Sequence, residues 1–170
     1  MDTSSKTISE NVVELRDAIG LSQKDFALLA GISRATLVNI ESGIKSIKVK
    51  SLDGIVGFTK VELEKLSKKG FKPSENLREK LLQRYKGNPA IYVILSGPPS
   101  IPHCIKYKVL RTGFLDTPKE RGQIVKFISD NYGWKINGNS LTNALKNMPK
   151  FIKIEPHPDK GGTNLYSKKK

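Results

Sequence analysis

The segment from Gln23 to Ser42 constrains the fold of this chain more than any other. Its apolar residues are spaced so that two short crossed helices bury them against each other; they are Phe26, Ala30, Ile32, Leu37 and Ile40. Ala27 lets the two backbones approach closely, and Gly31 supplies the positive φ that a tight turn between helices requires. Ser33 follows the turn and is a natural N-cap for the second helix. The segment therefore predicts two crossed helices joined by a tight turn.

These residues resemble the helix-turn-helix domains of the phage-repressor and Cro class, called the XRE family, over residues 8–69. In that family a glutamine opens the first helix of the motif, as Gln23 does. An acidic residue with a glycine shortly after it closes the second helix, as Glu41 and Gly43 do. The resemblance implies a five-helix domain whose second motif helix, residues 33–42, enters the major groove of double-stranded DNA.

The same resemblance implies a role for individual side chains. Base contacts fall to Arg34, Ala35 and Asn39, and phosphate contacts to Gln23, Ser33 and Thr36. The chemistry agrees, because an arginine fork suits guanine O6 and N7, an asparagine amide suits adenine, and an alanine methyl can meet a thymine methyl. This sequence departs from the family pattern at residues 52–58. Two glycines lie there, in a fourth helix that is usually continuous in the family. Each costs about 1 kcal/mol relative to alanine inside a helix.

Charge is distributed unevenly along the chain. Lysine and arginine number 30 against 16 aspartates and glutamates, a net charge of +14. Residues 1–70 carry a net charge of +2, and residues 71–170 carry +12. A field of that sign attracts polyanions. The second half therefore carries most of the electrostatic attraction for a nucleic acid.

Several functional classes are disfavoured by the composition. The sequence has no apolar run long enough to span a membrane, and its first residues lack the apolar core of a signal peptide. Cys104 is the single cysteine, so neither an intramolecular disulfide nor a cysteine metal cluster is expected. His103 and His157 are far apart in sequence, and no paired carboxylates or phosphate-binding glycine loop accompany them. We expect a cytoplasmic protein that is not an enzyme and that needs no metal or cofactor.

Residues 70–103 are predicted to connect two domains. A helix over 74–86 places four apolar or aromatic side chains on one face: Leu77, Leu81, Leu82 and Tyr85. That helix packs on the first domain, pairs two protomers, or acts as a spacer. The β-branched and apolar run 90–95 predicts a short buried strand or an extended arm. The three prolines of segment 96–102 exclude a helix there. The segment is therefore predicted to be a linker that marks the domain boundary.

The second half predicts helix, helix and β-hairpin in that order. Thr117 and Pro118 are typical of a helix start, Gly133 is placed to end that helix, and a further helix begins at Asn139 or Ser140. Two short strands then flank a Gly-Gly turn within 151–167. This order resembles bacterial winged helix-turn-helix domains over residues 104–167, followed by a basic tail at 168–170. The predicted fold class is mainly α, with a five-helix repressor-like domain and a C-terminal α+β winged-helix domain.

The solvent side of helix 139–148 is rich in amides and hydroxyls. With the wing it supplies the candidate DNA contacts Asn139, Ser140, Thr142, Asn143, Lys146, Lys153 and Lys160. Asparagine suits adenine, whereas lysine and serine hold phosphates. Two alternatives to DNA contact remain for this face. It is an ordinary solvated surface, or it is a protein-binding surface of the kind that winged helices also provide.

The sequence thus predicts a prokaryotic or phage-like, repressor-like transcriptional regulator that binds DNA as a homodimer. One alternative is an antitoxin or related regulator whose C-terminal half binds a protein partner. Another is an initiator of plasmid or phage replication.

Overall fold

The computed structural model describes residues 3–44 and 46–169. The chain divides into two compact units, Met1–Pro99 and Ser100–Lys170. Both units are mainly helical, and the second adds a small antiparallel sheet, which confirms the predicted fold class. Across the described ranges, no helix is long and apolar enough to cross a membrane.

The first unit is built from helices. They are α1 (Thr3–Ile19), α2 (Gln23–Leu29), α3 (Arg34–Ser42), α4 (Val49–Thr59), α5 (Leu63–Ser67), α6 (Leu77–Arg84) and α7 (Pro89–Ser96). The apolar face of α1 is fully buried at Val12, Leu15 and Ile19, as the 3.6-residue spacing predicts. Phe26 of α2 packs edge-on against Phe58 of α4, with ring centroids 5.8 Å apart. Burial of these faces therefore holds α1, α2 and α4 around one core.

The turn between α2 and α3 has the predicted geometry. Gly31 adopts a φ of +66°, and the Ile32 amide donates to the Ala27 carbonyl at 3.0 Å. The Ser33 hydroxyl caps α3 by accepting from the Thr36 amide at 3.0 Å. Ala27 is 1% exposed, whereas a Cβ built on Gly31 meets no heavy atom within 4 Å. Backbone conformation, and not lack of space, therefore requires glycine at position 31.

Helix α4 runs without a break through the two glycines of residues 52–58. The first of them, Gly54, lies against the end of α2, since a Cβ there would be 2.2 Å from the Ala30 carbonyl oxygen. The second, Gly57, has open space around its Cα. Glycine at position 54 thus permits close approach between α4 and the turn. This close approach explains why glycine, which has a low helix propensity, occurs inside α4.

Residues 90–95 are helical, so the predicted strand was wrong. Asn88 caps α7 by accepting from the Ile91 amide at 3.3 Å, and Pro89 occupies the first helical turn. Proline is well suited to that turn because its missing N–H would be unpaired there in any case. The exclusion of helix from 96–102 was also too broad, because Pro102 lies in the first turn of the short helix α8 (Ile101–His103).

Arg78 ties α6 and α7 to the rest of the first unit. Its guanidinium is buried and donates to the carbonyls of Ile19 at 2.6 Å, of Gly97 at 2.6 Å and of Leu95. These acceptors lie at the C-terminal ends of α1 and α7, where carbonyls lack helical partners and a cation is favourable. Burial lowers the pKa of Arg78, but an arginine remains protonated at neutral pH. Helix α6 therefore packs on the first unit, which is one of the three alternatives predicted for the helix after residue 74.

The second unit follows the order of a winged helix. Helix α8 continues through a π-helical turn (Cys104–Lys108) and a 3-10 turn (Val109–Arg111), and a further 3-10 turn spans Phe114–Asp116. After these come β1 (Lys119–Glu120), α9 (Arg121–Tyr132), α10 (Gly138–Lys146), β2 (Ile152–Pro156) and β3 (Asn164–Lys168). The sheet is antiparallel in the order β1-β3-β2. Its core residues are Cys104, Ile105, Val109, Leu115, Ile124, Ile128, Leu141, Leu145, Met148, Ile152 and Tyr166.

The helix start predicted at Thr117 was wrong by several residues. Lys119 and Glu120 pair with Tyr166 and Leu165 of β3, so sheet pairing overrides the local capping signal. Helix α9 instead begins after Glu120, which forms a reciprocal capping box with Gln123.

Helix α10 also begins slightly earlier than predicted. The Asn137 side chain is its N-cap and accepts from the amides of Asn139 and Ser140 at 2.9 and 3.1 Å. The cap therefore precedes Asn139, so that Asn139 and Ser140 lie in the first turn of α10.

Gly54→Ala should destabilise the first unit by about 1–3 kcal/mol, because the new methyl group overlaps the Ala30 carbonyl. The matched change Gly57→Ala should stabilise it by about 0.5–1 kcal/mol through helix propensity. Urea unfolding followed by circular dichroism measures both effects. Fluorescence of Trp134, which lies in the second unit, is the reference signal. Equal effects of the two alanines would contradict the close approach.

Arg78→Ala should lower the free energy of unfolding by roughly 3 kcal/mol, because each buried carbonyl left unpaired costs about 1–3 kcal/mol. Arg84→Ala, on the exposed side of the same helix, should change it by less than about 0.5 kcal/mol. Urea unfolding of the two variants under identical conditions gives the comparison. If Arg78→Ala is as stable as Arg84→Ala, the guanidinium does not hold α6 and α7 in place.

Candidate nucleic-acid interface

Helix α3 presents its predicted base-contacting residues on one solvent-facing surface. Arg34 and Ala35 are exposed in the first turn, Asn39 is half-buried one turn later, and Val38 lies between them at 39% exposure. These four residues line one shallow depression. Leu37, on the opposite side of α3, is fully buried, so the core fixes the orientation of this surface.

A groove beside α3 adds polar groups that the sequence alone does not mark. It encloses about 340 Å³ between α3, the residues after it and the start of α4, and is lined by Thr36, Asn39, Ile40, Ser46, Ile47, Lys48 and Ser51. Ser46 and Lys48 lie in an irregular segment without periodicity, and this is why sequence reasoning missed them. The hydroxyl, amide and ammonium groups that line this groove are hydrogen-bond donors of the kind that bind DNA phosphates.

Glu41 faces inward and leaves this surface without its carboxylate. The Glu41 side chain is 7% exposed and accepts from Arg16 Nε at 2.5 Å and from Arg16 Nη2 at 3.2 Å. It also accepts from Gln23 Nε2 at 2.8 Å. Glu41 is the only acidic residue between Asp25 and Asp53. The surface around α3 consequently offers a DNA phosphate cations and neutral donors.

The three predicted phosphate contacts of the first unit differ in how they are held. Gln23, at the first residue of α2, is half-buried and donates to Glu41, so it fixes α2 against α3. The Ser33 hydroxyl is engaged in capping α3 and lies 2.8 Å from Thr36 Oγ1. All three residues lie at the N-terminal turns of α2 and α3, where backbone amides also face outward.

Helix α10 carries a polar stripe in the second unit. Asn139, Ser140, Asn143, Lys146 and Asn147 are exposed and recur at spacings of three and four, which places them on one face. The opposite face is fully buried through Leu141 and Leu145.

Two of the predicted contacts on α10 already have partners within the chain. Asn139 Oδ1 accepts from Arg121 Nη1 at 3.3 Å, so the first turn of α10 is joined to the start of α9. The Thr142 hydroxyl donates to the Gly138 carbonyl at 3.1 Å and is half-buried. Ser140, Asn143 and Lys146 thus form the outward part of the predicted set.

The two predicted wing lysines are paired with carboxylates. Lys160 Nζ lies 2.5 Å from Glu120 Oε1, and Lys153 Nζ lies 2.8 Å from Glu155 Oε1. The hydrogen bond from Lys160 holds the pKa of Glu120 below its ordinary value, which keeps that carboxylate ionised. His157 Nε2 lies 3.5 Å from the same oxygen. These partners neutralise much of the charge that the sequence assigned to the wing.

The reactivity of the single cysteine follows from its burial. Cys104 is fully buried, and burial raises the pKa of its thiol to about 12, so it stays protonated and is a poor nucleophile. Among residues 3–44 and 46–169, no group of three histidine, cysteine or acidic side chains is arranged to hold a metal ion.

Comparison with known proteins gives a match to a protein family. Residues 12–66 match the family model described as Helix-turn-helix, which covers residues 12–19 of α1, the helices α2 to α4 and most of α5. Neither the curated proteins nor the solved structures compared with the chain yield a match. The match ends before α6, so it does not extend to α7 or to the second unit. The match confirms the predicted resemblance of this segment to XRE-type helix-turn-helix domains, which are typical of DNA-binding regulators.

Proposed function

We propose that the chain is a repressor-like transcriptional regulator that recognises a specific DNA sequence with α3. The observation that carries this proposal is the surface formed by Arg34, Ala35, Val38 and Asn39, from which the nearby carboxylate of Glu41 is withdrawn. An arginine fork and an asparagine amide one turn apart match guanine and adenine edges in the major groove. The XRE-type match over the same helix supports it.

The proposed mechanism is occupancy of an operator. A bound protein covers the site and blocks access of the polymerase, and no catalytic step is needed. One recognition helix contacts about half of an operator, so a homodimer on a pseudo-palindromic site accounts for full recognition. Such a regulator acts where its DNA is, in the cytoplasm of a prokaryotic cell.

The second unit provides a further DNA contact in this proposal. Residues 131–154 contain no acidic side chain but four lysines, including Lys146 on the exposed stripe of α10. The wing lysines Lys153 and Lys160 are offset by Glu155 and Glu120. Exposed ion pairs are worth only about 0–1 kcal/mol, so a DNA phosphate can displace these carboxylates. Each paired lysine then contributes less binding free energy than an unpaired lysine would. We therefore assign the stronger contact to α10 and the weaker one to the wing.

Selection of bound sequences from a random duplex pool with the full chain tests the function. The proposal requires enrichment of a defined motif, and two-fold symmetry in that motif would support the homodimer. Recovery of no preferred sequence would overturn the proposal. A protein partner co-purified through residues 100–170, together with unchanged DNA binding when α10 is altered, would favour the antitoxin-like alternative.

Arg34→Ala should reduce discrimination between the selected site and a mismatched site by roughly 1–3 kcal/mol, the value of one bidentate base contact. The melting temperature should not change, because Arg34 is exposed. Fluorescence anisotropy with both duplexes measures the discrimination, and Arg84→Ala is the matched control. An unchanged sequence preference of Arg34→Ala would contradict the assignment of α3.

Lys146→Gln should lower the slope of log K against log salt by about 0.9, the value for one phosphate contact. Lys160→Gln should lower it by less, since Lys160 is paired with Glu120. Glu120→Gln should strengthen binding by freeing Lys160 while its side-chain oxygen still caps α9. Anisotropy titrations over a salt series measure all three. Equal slopes for Lys146→Gln and the wild type would remove α10 from the interface.

The outer face of α10 also carries a neutral candidate for base contact. Asn143→Ala should change the selected sequence with little effect on the salt slope, since an amide contacts bases without releasing counterions. Repeating the duplex selection with this variant gives the answer. The same consensus for Asn143→Ala and the wild type would confine α10 to phosphate contacts.

A further inference from the structure

The wing, formed by β2, β3 and the turn between them, carries a histidine with a partner at each ring nitrogen. His157 Nδ1 accepts from the Asp159 amide at 3.0 Å, and His157 Nε2 lies 3.5 Å from Glu120 Oε1. A ring nitrogen accepts a hydrogen bond only when it carries no proton. The His157 ring is therefore neutral in this arrangement, with its proton on Nε2, the nitrogen next to the carboxylate.

Glu120 is shared by two basic side chains of the wing. Lys160 Nζ lies 2.5 Å from Oε1, the same oxygen that His157 approaches. Glu120 also belongs to the capping box of α9 and pairs with Leu165 in the sheet, so the fold fixes its position. The hydrogen bond from Lys160 holds the pKa of Glu120 below its ordinary value, and the carboxylate stays ionised while the ring titrates.

Protonation of His157 adds one positive charge to a cluster that is otherwise neutral. While the ring is uncharged, Lys160 and Glu120 compensate each other. Once the ring is protonated, two cations face a single carboxylate, and one of them is available to an external anion. The wing thus becomes more attractive to a polyanion when the ring takes up a proton from solvent.

The other charged side chains near His157 do not cancel this gain. Those on the neighbouring elements have separate partners; they are Lys119 with Thr117, Arg121 with Asn139, and Lys153 with Glu155. The Asp159 side chain, in the same turn, is exposed. Each of these charges is present in both protonation states of the ring, so the difference between the two states remains one charge.

Protonation also breaks a hydrogen bond inside the wing turn. A protonated Nδ1 is a donor, so His157 then cannot accept from the Asp159 amide, and two N–H groups would meet there. The ends of the turn are held independently, because the His157 amide donates to the Thr163 carbonyl at 2.8 Å and the Thr163 amide donates to the Lys160 carbonyl at 3.2 Å. The rearrangement is therefore confined to residues 157–160.

We propose that His157 makes the wing a pH-sensitive DNA contact, because protonation of the ring releases the Asp159 amide and leaves two cations at the one carboxylate of Glu120. Histidine changes charge between about pH 5 and pH 8, so the wing binds phosphate more strongly as the pH falls through that range. The inference rests on the proposed function, in which the wing is the weaker DNA contact. It adds the condition under which that contact strengthens.

Nuclear magnetic resonance of the full chain without DNA tests the switch itself. The Asp159 amide signal should shift with the same midpoint as the His157 ring signals, because the two groups are hydrogen-bonded only while the ring is neutral. Glu120→Gln should move that midpoint to lower pH, since an adjacent carboxylate favours the protonated ring. Asp130→Asn, which removes an exposed carboxylate paired with Lys126, is the matched control and should leave the midpoint unchanged.

Anisotropy titrations with a fixed duplex of arbitrary sequence test the consequence for DNA. Between about pH 8 and about pH 5.5, the slope of log K against log salt should steepen by about 0.9, the value for one further phosphate contact. His157→Asn should not show this change, because its side-chain oxygen can accept from the Asp159 amide in an Asx turn but does not titrate. Lys153→Gln removes a wing cation outside the cluster, so its slope should still steepen.

An Asp159 amide signal that does not follow the His157 ring overturns the proposal. So does a wild-type slope that is equal at the two pH values, or a steepening that His157→Asn retains. Thermal unfolding at both pH values shows that each variant is folded. Neither measurement needs a preferred DNA sequence, so failure here is distinguishable from failure of the proposed function, which the duplex selection tests separately.

Discussion

The ion pair between Arg16 and Glu41 is the constraint on which the DNA-binding unit depends. It joins α1 to the last turn of α3, and Gln23 extends the network to the start of α2. Both charged side chains are largely buried. Removal of Arg16 would leave the Glu41 carboxylate without its cationic partner, at a cost of about 3–5 kcal/mol, whereas Arg16 also has the Asp17 carboxylate at 3.4 Å. The same contact therefore sets the position of α3 in the unit and turns the one nearby carboxylate away from the surface where a phosphate would lie. One interaction thus contributes both to the packing of α3 and to the charge of its outer surface.

Arg78 also holds helices of this unit together through a buried guanidinium, but its partners are backbone carbonyls instead of a carboxylate. A guanidinium has five donors in a fixed plane, and here three of its hydrogen bonds reach backbone oxygens at the ends of α1 and α7. Tyr85 adds a second attachment, because its hydroxyl donates to the Phe58 carbonyl at 2.7 Å. Helices α6 and α7 are therefore part of the folded unit, and their outer surfaces have a defined position relative to its core.

The sequence predicts features that depend on neighbouring residues and misses those that depend on distant ones. The turn at Gly31 and the cap at Ser33 are local, and the structure confirms both. The strand expected at 90–95 failed because β-branched composition was weighed above the cap at Asn88. The start of α9 was misplaced because pairing of Lys119 and Glu120 with β3, more than forty residues later, cannot be seen in the local pattern. Glu120, the partner of Lys160, lies forty residues away in sequence and was missed for the same reason.

Carboxylates near the proposed DNA-binding surfaces act in opposite ways in the two units. In the first, the partner of Glu41 is the largely buried Arg16, so this carboxylate does not offset a cation of the outer surface. In the second, the partner of Glu120 is Lys160, a wing residue, so the pair subtracts from the charge that the wing offers. A count of basic residues therefore overstates the attraction of the wing for DNA. Lys135, Lys146 and Lys150 have no acidic residue within four positions in sequence, and of these Lys146 lies on the exposed face of α10.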